Sequence, residues 1–477
     1  MNIKSDIDYN RKAVKAILGS DDVIFFDFEI SGAAAFCAYV DSITDKELLG
    51  LEVIAPLSAS NPKKSATSLS KTITLANVKT IDKITDATDE ILNGNAAIFI
   101  DGKKKCITVD LKKFEVRAIS EPPTGLAVRG PRNGFTESIK SNLSLVRRYL
   151  KSPDVKIETY EKGKYTKTSV ALIFIDGIAR PDIVKKIREK IDAINIDGIP
   201  DSSYVAKLLS ERKTSLFKQV GSTERPDVLI ERMLEGRIGI IVDGSPFALT
   251  LPYLLIEDFQ AAEDYYISQY RANLVRALRV IAILFSILLP AVFVSSQLFH
   301  LQIIPLNFLL TIVNGIKEIP FSPSLEMFFV LLIFELLNET SVRMPKYVGM
   351  ALAVVGALVL GETAVNAGIV STPAILIMAL SGISIYAIPE IVETTSVLRF
   401  VYLLIAGSLG GYGLISLTAF ILLYLSSADN YGAPYLAPYS PVLLNDFQDG
   451  LYMNNVIGMT NRPVALGSKN KIRQKLK

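Results

Sequence analysis

Glu326, Glu335, Glu339, Glu362, Glu390 and Glu393 lie within or at the ends of apolar stretches of a 477-residue chain. An acidic side chain at the centre of a membrane helix costs about 2.5–3.5 kcal/mol on insertion scales, so it normally faces water or a partner. Glu335 and Glu339 are four apart, share one helical face and repel each other unless water, a cation or Arg343 intervenes. Glu362 and Asn366 repeat that spacing with one charge. Two chemistries fit these residues. They could line an ion path, or they could sit at the bilayer surface, bridged to Arg343 and Lys346.

The elements that would carry them stand out by hydropathy. Mean hydropathy is +0.35, yet 21% of residues are charged, and the two facts agree only if charge is segregated. Between positions 280 and 425 there are eleven Asp, Glu, Lys or Arg residues. Five apolar segments are expected to cross a membrane, over 280–299, 325–337, 347–360, 369–388 and 399–425. The stretch 301–319, broken by Pro305, Asn314, Gly315 and Pro320, reads as interfacial or re-entrant. Gly410, Gly411 and Gly413 interrupt the last segment, which is either a broken helix or a hairpin. Gly349, Ala353 and Gly356 have the spacing of close helix contacts.

Arg271, Arg276 and Arg279 flank the first segment and place the N-terminal part in the cytoplasm. The start, MNIKSDIDYNRK, lacks the apolar core of a signal peptide. For the C-terminus the rule is indecisive: five spans put it outside, a final hairpin inside. The chain has no Trp, so tyrosines such as Tyr347, Tyr386 and Tyr424 must supply the interfacial belt.

The polar part alternates strands and helices. Strands are expected over 23–30, 96–100, 107–111, 170–175 and 239–242, and helices over 136–150 and 182–194. Asp101-Gly102 and Asp243-Gly244 mark hairpins at 96–111 and 239–251. At a constant offset of 142, Leu92, Gly94, Ile98, Asp101, Gly102 and Thr108 match Leu234, Gly236, Ile240, Asp243, Gly244 and Thr250. A duplication would explain this; turn chemistry alone is the rival. The expected organisation is two related α/β subdomains, 1–120 and 121–270, forming a cytoplasmic N-terminal region. An α-helical multi-span transmembrane domain follows at 271–425, then a polar tail at 426–477.

Enzymatic motifs are missing. There is no GxxxxGK[ST] loop, no GxGxxG after a strand and no GxSxG elbow. With one His and two Cys, no His or Cys metal site is expected, and no cofactor. His300 reads as interfacial, and Cys37 and Cys106 as buried apolar side chains. Near-neutral net charge gives no reason to expect nucleic acid. Binding or transport remains.

Three blocks carry a family resemblance. The first is Glu121-Pro122-Pro123-Thr124 with 129–137, RGPRNGFTE. The second is 242–247, VDGSPF, with Pro252 and Glu263-Asp264-Tyr265-Tyr266. The third comprises 320–326, PFSPSLE, Phe334-Glu335-Leu336-Leu337, Arg343-Met344-Pro345, 361–368, GETAVNAG, and 431–435, YGAPY. The chain resembles the A subunit of bacterial spore germinant receptors, the GerA family, departing from its pattern at Gly125, Asn133, Asn338 and Glu362.

The resemblance implies a non-enzymatic, multi-pass inner spore membrane subunit. It would work as a homo-oligomer with a permease-like B subunit and a lipoprotein C subunit, releasing monovalent cations when nutrient binds. On that reading Glu335, Glu339, Glu362 and Asn366 are candidate pore positions, and Val354, Val355 and Leu358 candidates for a hydrophobic gate. Arg129 and Arg132, exposed by the Gly130-Pro131 turn, and Asp264, Tyr265 and Tyr266 are candidate subunit contacts. The alternatives are a paralogous amplifying channel without a nutrient sensor, a membrane-anchored scaffold, and a secondary transporter.

Overall fold

The computed structural model describes residues 1–61, 65–113, 129–316, 319–343 and 361–475. The segment expected at 347–360, the small-residue spacing from Gly349 to Gly356, the gate candidates Val354, Val355 and Leu358, and the block Glu121–Thr124 lie outside the described residues.

The polar part holds two five-stranded antiparallel sheets of one design. The first contains β1 (Val23–Ile30), β2 (Ala33–Val40), β3 (Val78–Ile81), β4 (Asn95–Ile100) and β5 (Cys106–Asp110), in the order β1-β2-β4-β5-β3. The second contains β6 (Val155–Lys162), β7 (Thr168–Ile175), β8 (Gly221–Thr223), β9 (Ile238–Val242) and β10 (Ala248–Leu251), in the order β6-β7-β9-β10-β8. Strand for strand, the two orders are the same.

Alternation along the central strands dictates a layer of helix on each face. Phe36, Ala38 and Val40 of β2 pack with α1 (Ile7–Leu18) and α2 (Ile84–Leu92), while Ala35, Cys37 and Tyr39 face Leu49, Val53, Leu57 and Leu69. In β7, Ala171, Ile173 and Ile175 meet α3 (Ile139–Tyr149) and α6 (Pro226–Glu235). Val170, Leu172 and Phe174 meet α4 (Pro181–Asp192) and α5 (Ser202–Leu209).

The Asp-Gly pairs do more than turn the chain. Asp101 accepts from the backbone N–H of Ile7 at 3.4 Å, and Asp243 from that of Ile139 at 3.0 Å. Gly102 N–H donates to the Ser5 carbonyl, and Gly244 N–H to that of Glu137. Buried Asn10 clamps both backbone groups of the segment before α1, through Lys4, and Asn142 does the same through Thr136 before α3. Turn chemistry alone does not require these long-range partners, so their repetition supports duplication. The clamp also corrects the expected start of α3. Thr136 is held outside the helix by Asn142, and Ser138 caps it instead.

The two halves are locked together. Arg147, 1% exposed, donates to Asp22 at 2.7 and 2.8 Å and to Ser20 Oγ at 2.9 Å. Lys156 Nζ donates to the last carbonyls of α1, Ile17 and Leu18.

The rest is helical: α7 (Gln269–Phe299), α8 (Leu306–Ile316), α9 (Pro323–Arg343), α10 (Thr372–Ile385) and α11 (Val392–Ser426). Two helices, Gln269–Phe299 and Pro389–Ser426, are long and apolar enough to cross a membrane. With 11 residues, α8 spans about 16 Å, too little to cross.

Two features decide between a broken helix and a hairpin for the last apolar segment. Gly410 interrupts α11 with φ 60° and ψ −146°, and Tyr402 Oη lies 3.0 Å from Thr418 Oγ1. In a straight helix sixteen residues span about 24 Å. So α11 is a hairpin of two antiparallel arms. Its base meets the soluble part, with Thr394 donating to the Leu216 carbonyl and Tyr424 to Ser215. Its tip meets the far end of α7, with Gly410 against Phe299 and Gly411 against His300.

Beyond the hairpin the chain returns to the second sheet. Tyr431 enters that core and donates to the Leu209 carbonyl at 2.6 Å. The tail and the second sheet therefore pack together at the base of the hairpin.

Candidate functional site

In the helical part, three of the six named carboxylates, Glu326, Glu335 and Glu339, have partners. Glu335 of α9 forms an ion pair with Arg399 of α11, whose side chain is fully buried. Arg399 also reaches Ser381 Oγ at 3.5 Å, and that hydroxyl donates to the Ser286 carbonyl of α7. Four helices thus meet at one buried guanidinium. Glu326, 2% exposed, accepts from the Ser371 N–H at 2.6 Å at the start of α10. Glu339 pairs with Arg343 one turn on, exposed at 2.5 Å. Glu362 and Asn366 are exposed on one helical turn, without a partner among the described residues.

Repulsion between Glu335 and Glu339 is relieved by one arginine each: Glu339 takes Arg343, an expected route, and Glu335 takes Arg399. Sequence reasoning passed over Arg399, although a lone arginine in a long apolar run is itself the sign that a buried carboxylate must come to meet it.

The second site is the joint between the soluble part and α7. Glu257, in the linker after β10, accepts from Arg237 at 3.0 Å and lies in ion-pair contact with Arg232 at 3.3 Å. Arg237 also pairs with Glu235, which faces Arg473 of the tail at 3.9 Å. One turn along, Asp264 accepts from Arg276 at 2.9 Å and Arg279 at 2.7 Å, both on α7. Arg276, in turn, reaches Asp449 of the tail at 2.9 Å. Asn273 holds both backbone groups of Met453.

Second subdomain, linker, first membrane helix and tail are therefore tied by two ion-pair clusters, one at Glu257 and one at Asp264. Such clusters are costly to break, because the surviving charge stays buried and unpaired. Burial raises the Asp258 carboxyl to about 7 and the Glu231 carboxyl to about 7, the latter with help from Glu235.

A family model described as Bacillus/Clostridium GerA spore germination protein matches residues 11–465. The chain belongs to the GerA family. It is an A subunit of a germinant receptor and not an enzyme, and with two candidate spans it is a membrane protein. Spore germination protein KA of Bacillus subtilis strain 168 is 35% identical over 469 residues, covering 96% of this chain and 86% of the relative. Spore germination protein GerQA of Bacillus cereus is 32% identical, covering 95% and 91%. The crystal structure of the N-terminal domain of the A subunit of the Bacillus megaterium spore germinant receptor GerK3 is 32% identical. It covers 54% of this chain and 98% of that chain, at a TM-score of 0.43.

In this GerA-family chain the expected subunit contacts divide. Arg129 and Arg132 are exposed. Asp264 is fully buried within its own chain and bonded to two arginines, a correction to its reading as a surface contact. Tyr265 donates to Asp449 at 2.6 Å, and Tyr266 to Asp227 at 2.9 Å, with its ring over Gly130. These residues join the linker to the body of the chain, where an amphipathic linker helix was the alternative. The clusters could not be read from sequence because Asp449 and Arg473 have no local pattern pointing back to the linker.

Proposed function

We propose that copies of this A subunit assemble around an axis in the inner spore membrane. They release monovalent cations when a permease-like B subunit, acting with a lipoprotein C subunit, binds nutrient. The observation that carries the reading is the contrast among carboxylates. Glu335 and Glu326 are satisfied inside the chain, whereas Glu362 and Asn366 face outward in a single copy. An acidic group in hydrocarbon is costly, so water or a neighbouring copy is its natural environment. The buried joint supplies a route by which the soluble part moves α7.

Cation flux from liposomes containing the purified chain, alone and with its partners, tests the proposal. Flux that falls in Glu362→Gln supports a pore role for this face. Absence of flux in every combination overturns it. One observation favours a second reading, an anchored scaffold: the Arg399 site is a buried four-helix contact, suited to holding helices still. The same liposomes separate the two, because a scaffold conducts nothing.

A further inference from the structure

The tail carries a surface that the joint does not use. From 451 to 475 there is no Asp or Glu, while Arg462, Lys469, Lys471, Arg473 and Lys475 are cationic. The arginines are engaged: Arg462 donates to the Leu234 carbonyl, and Arg473 faces Glu235. Lys469, Lys471 and Lys475 are exposed, with no carboxylate in ion-pair reach among the described residues. Beside them Tyr452, Val456, Ile457 and Ile472 are also exposed, Ile457 to 63%. Gln474 ties the basic stretch to this apolar edge by donating to the Val456 and Ile457 carbonyls at 2.7 and 2.9 Å.

The height of this surface follows from α7. Arg276 and Arg279 would ordinarily mark the edge of the hydrocarbon, yet both turn inward to Asp264. The outward face of α7 is already apolar at Leu274, 61% exposed, and continues through Leu278 and Ile281. At 31 residues the helix is about 46 Å long, enough to extend through a headgroup layer beyond about 30 Å of hydrocarbon. The lipid edge then falls near Leu274, with Tyr270 and Arg271 among the headgroups. At that level the tail is fastened, through Gln269 and Asn273 to Met453 and through Ala272 packed on Met453 and Met459.

We infer that the C-terminal segment is a membrane-surface anchor, inserting Tyr452, Val456 and Ile457 at the interface and binding anionic phospholipid headgroups through Lys469, Lys471 and Lys475. Unpaired lysines beside an apolar edge, continuous with the outward face of α7, match a negatively charged bilayer surface. The inference is independent of whether the chain conducts ions.

Because the chain lacks Trp, Ile457→Trp in the full-length protein is a single reporter. In vesicles of phosphatidylcholine and phosphatidylglycerol its emission should shift to the blue and be quenched by lipids brominated near the glycerol end. Acrylamide should leave it unaffected. Replacing Lys469, Lys471 and Lys475 by Gln should reduce that quenching to the level in pure phosphatidylcholine. Tyr452→Trp is the second reporter if Ile457→Trp fails to accumulate. Tyr165→Trp, on an exposed loop of the second sheet, should respond to acrylamide only.

Acrylamide quenching at both reporters without a bromine effect would overturn the anchor. Bromine quenching that ignores phosphatidylglycerol would overturn the headgroup assignment. Protection from both quenchers, with Ile457→Cys cross-linking between copies, would assign the surface to protein. Cys37 and Cys106 are buried and do not interfere.

Discussion

The Tyr265 hydroxyl donates to Asp449 at 2.6 Å, joining the linker to a residue that follows it by the whole helical layer. Asp449 also accepts from Arg276, which is fully buried. Asp449→Ala should therefore cost on the order of 3 kcal/mol, the usual scale for stripping a buried charge of one partner. Tyr265→Phe should cost about 1 kcal/mol. Thermal unfolding of the detergent-solubilised protein measures both, and equal effects would contradict the geometry.

A double-mutant cycle at Glu335 and Arg399 separates scaffolding from conduction. Each single change, Glu335→Gln or Arg399→Met, leaves a buried or half-buried charge behind and should destabilise by about 3–5 kcal/mol. The double variant should regain much of that loss. Altered ion flux in Glu335→Gln at unchanged stability would instead put Glu335 on the conducting path.

The hairpin tip is sharply specified. A Cβ on Gly410 would sit 2.7 Å from the Phe299 ring, in a backbone region that L residues avoid. Gly410→Ala should abolish accumulation of folded protein. Gly361→Ala, where a Cβ meets nothing within 4 Å among the described residues, should be tolerated. Expression and gel-filtration profiles in detergent distinguish the pair.

The raised carboxyls set a pH dependence. Asp258 and Glu231 titrate near 7 when folded and near 4 when unfolded. Between those values the folded chain binds more protons, so stability from these groups is complete below about pH 4 and is lost as pH rises through about 7. The melting temperature at pH 6 should exceed that at pH 8. Asp258→Asn with Glu231→Gln should flatten the difference.

Much of the fold was legible where period and local chemistry agree. β1 was expected over 23–30 and runs over Val23–Ile30, because a β-rich run is bounded there by Asp22 on one side and Ser31-Gly32 on the other. Matching Asp-Gly pairs pointed to the repeated design, though not to its cause, since their capping of α1 and α3 is a long-range contact. The start of α3 was displaced, because Asn142 of the helix itself holds Thr136 outside it. The membrane carboxylates were recognised as unusual. Arg343 was named as a partner and Glu339 takes it, but the Glu335 partner was missed, because Arg399 lies 64 residues further along the chain. The joint was least legible, since its charges come from four separate stretches.

The Arg147–Asp22 lock has a mechanical consequence. With a guanidinium sealed between them and Lys156 stopping the end of α1, the two sheets are pinned to each other at this contact. A push on the distal face of the first sheet is delivered to the root of α7 nearly whole, as by a stiff crank. A smaller side chain at Arg147 would turn that crank into a slack spring.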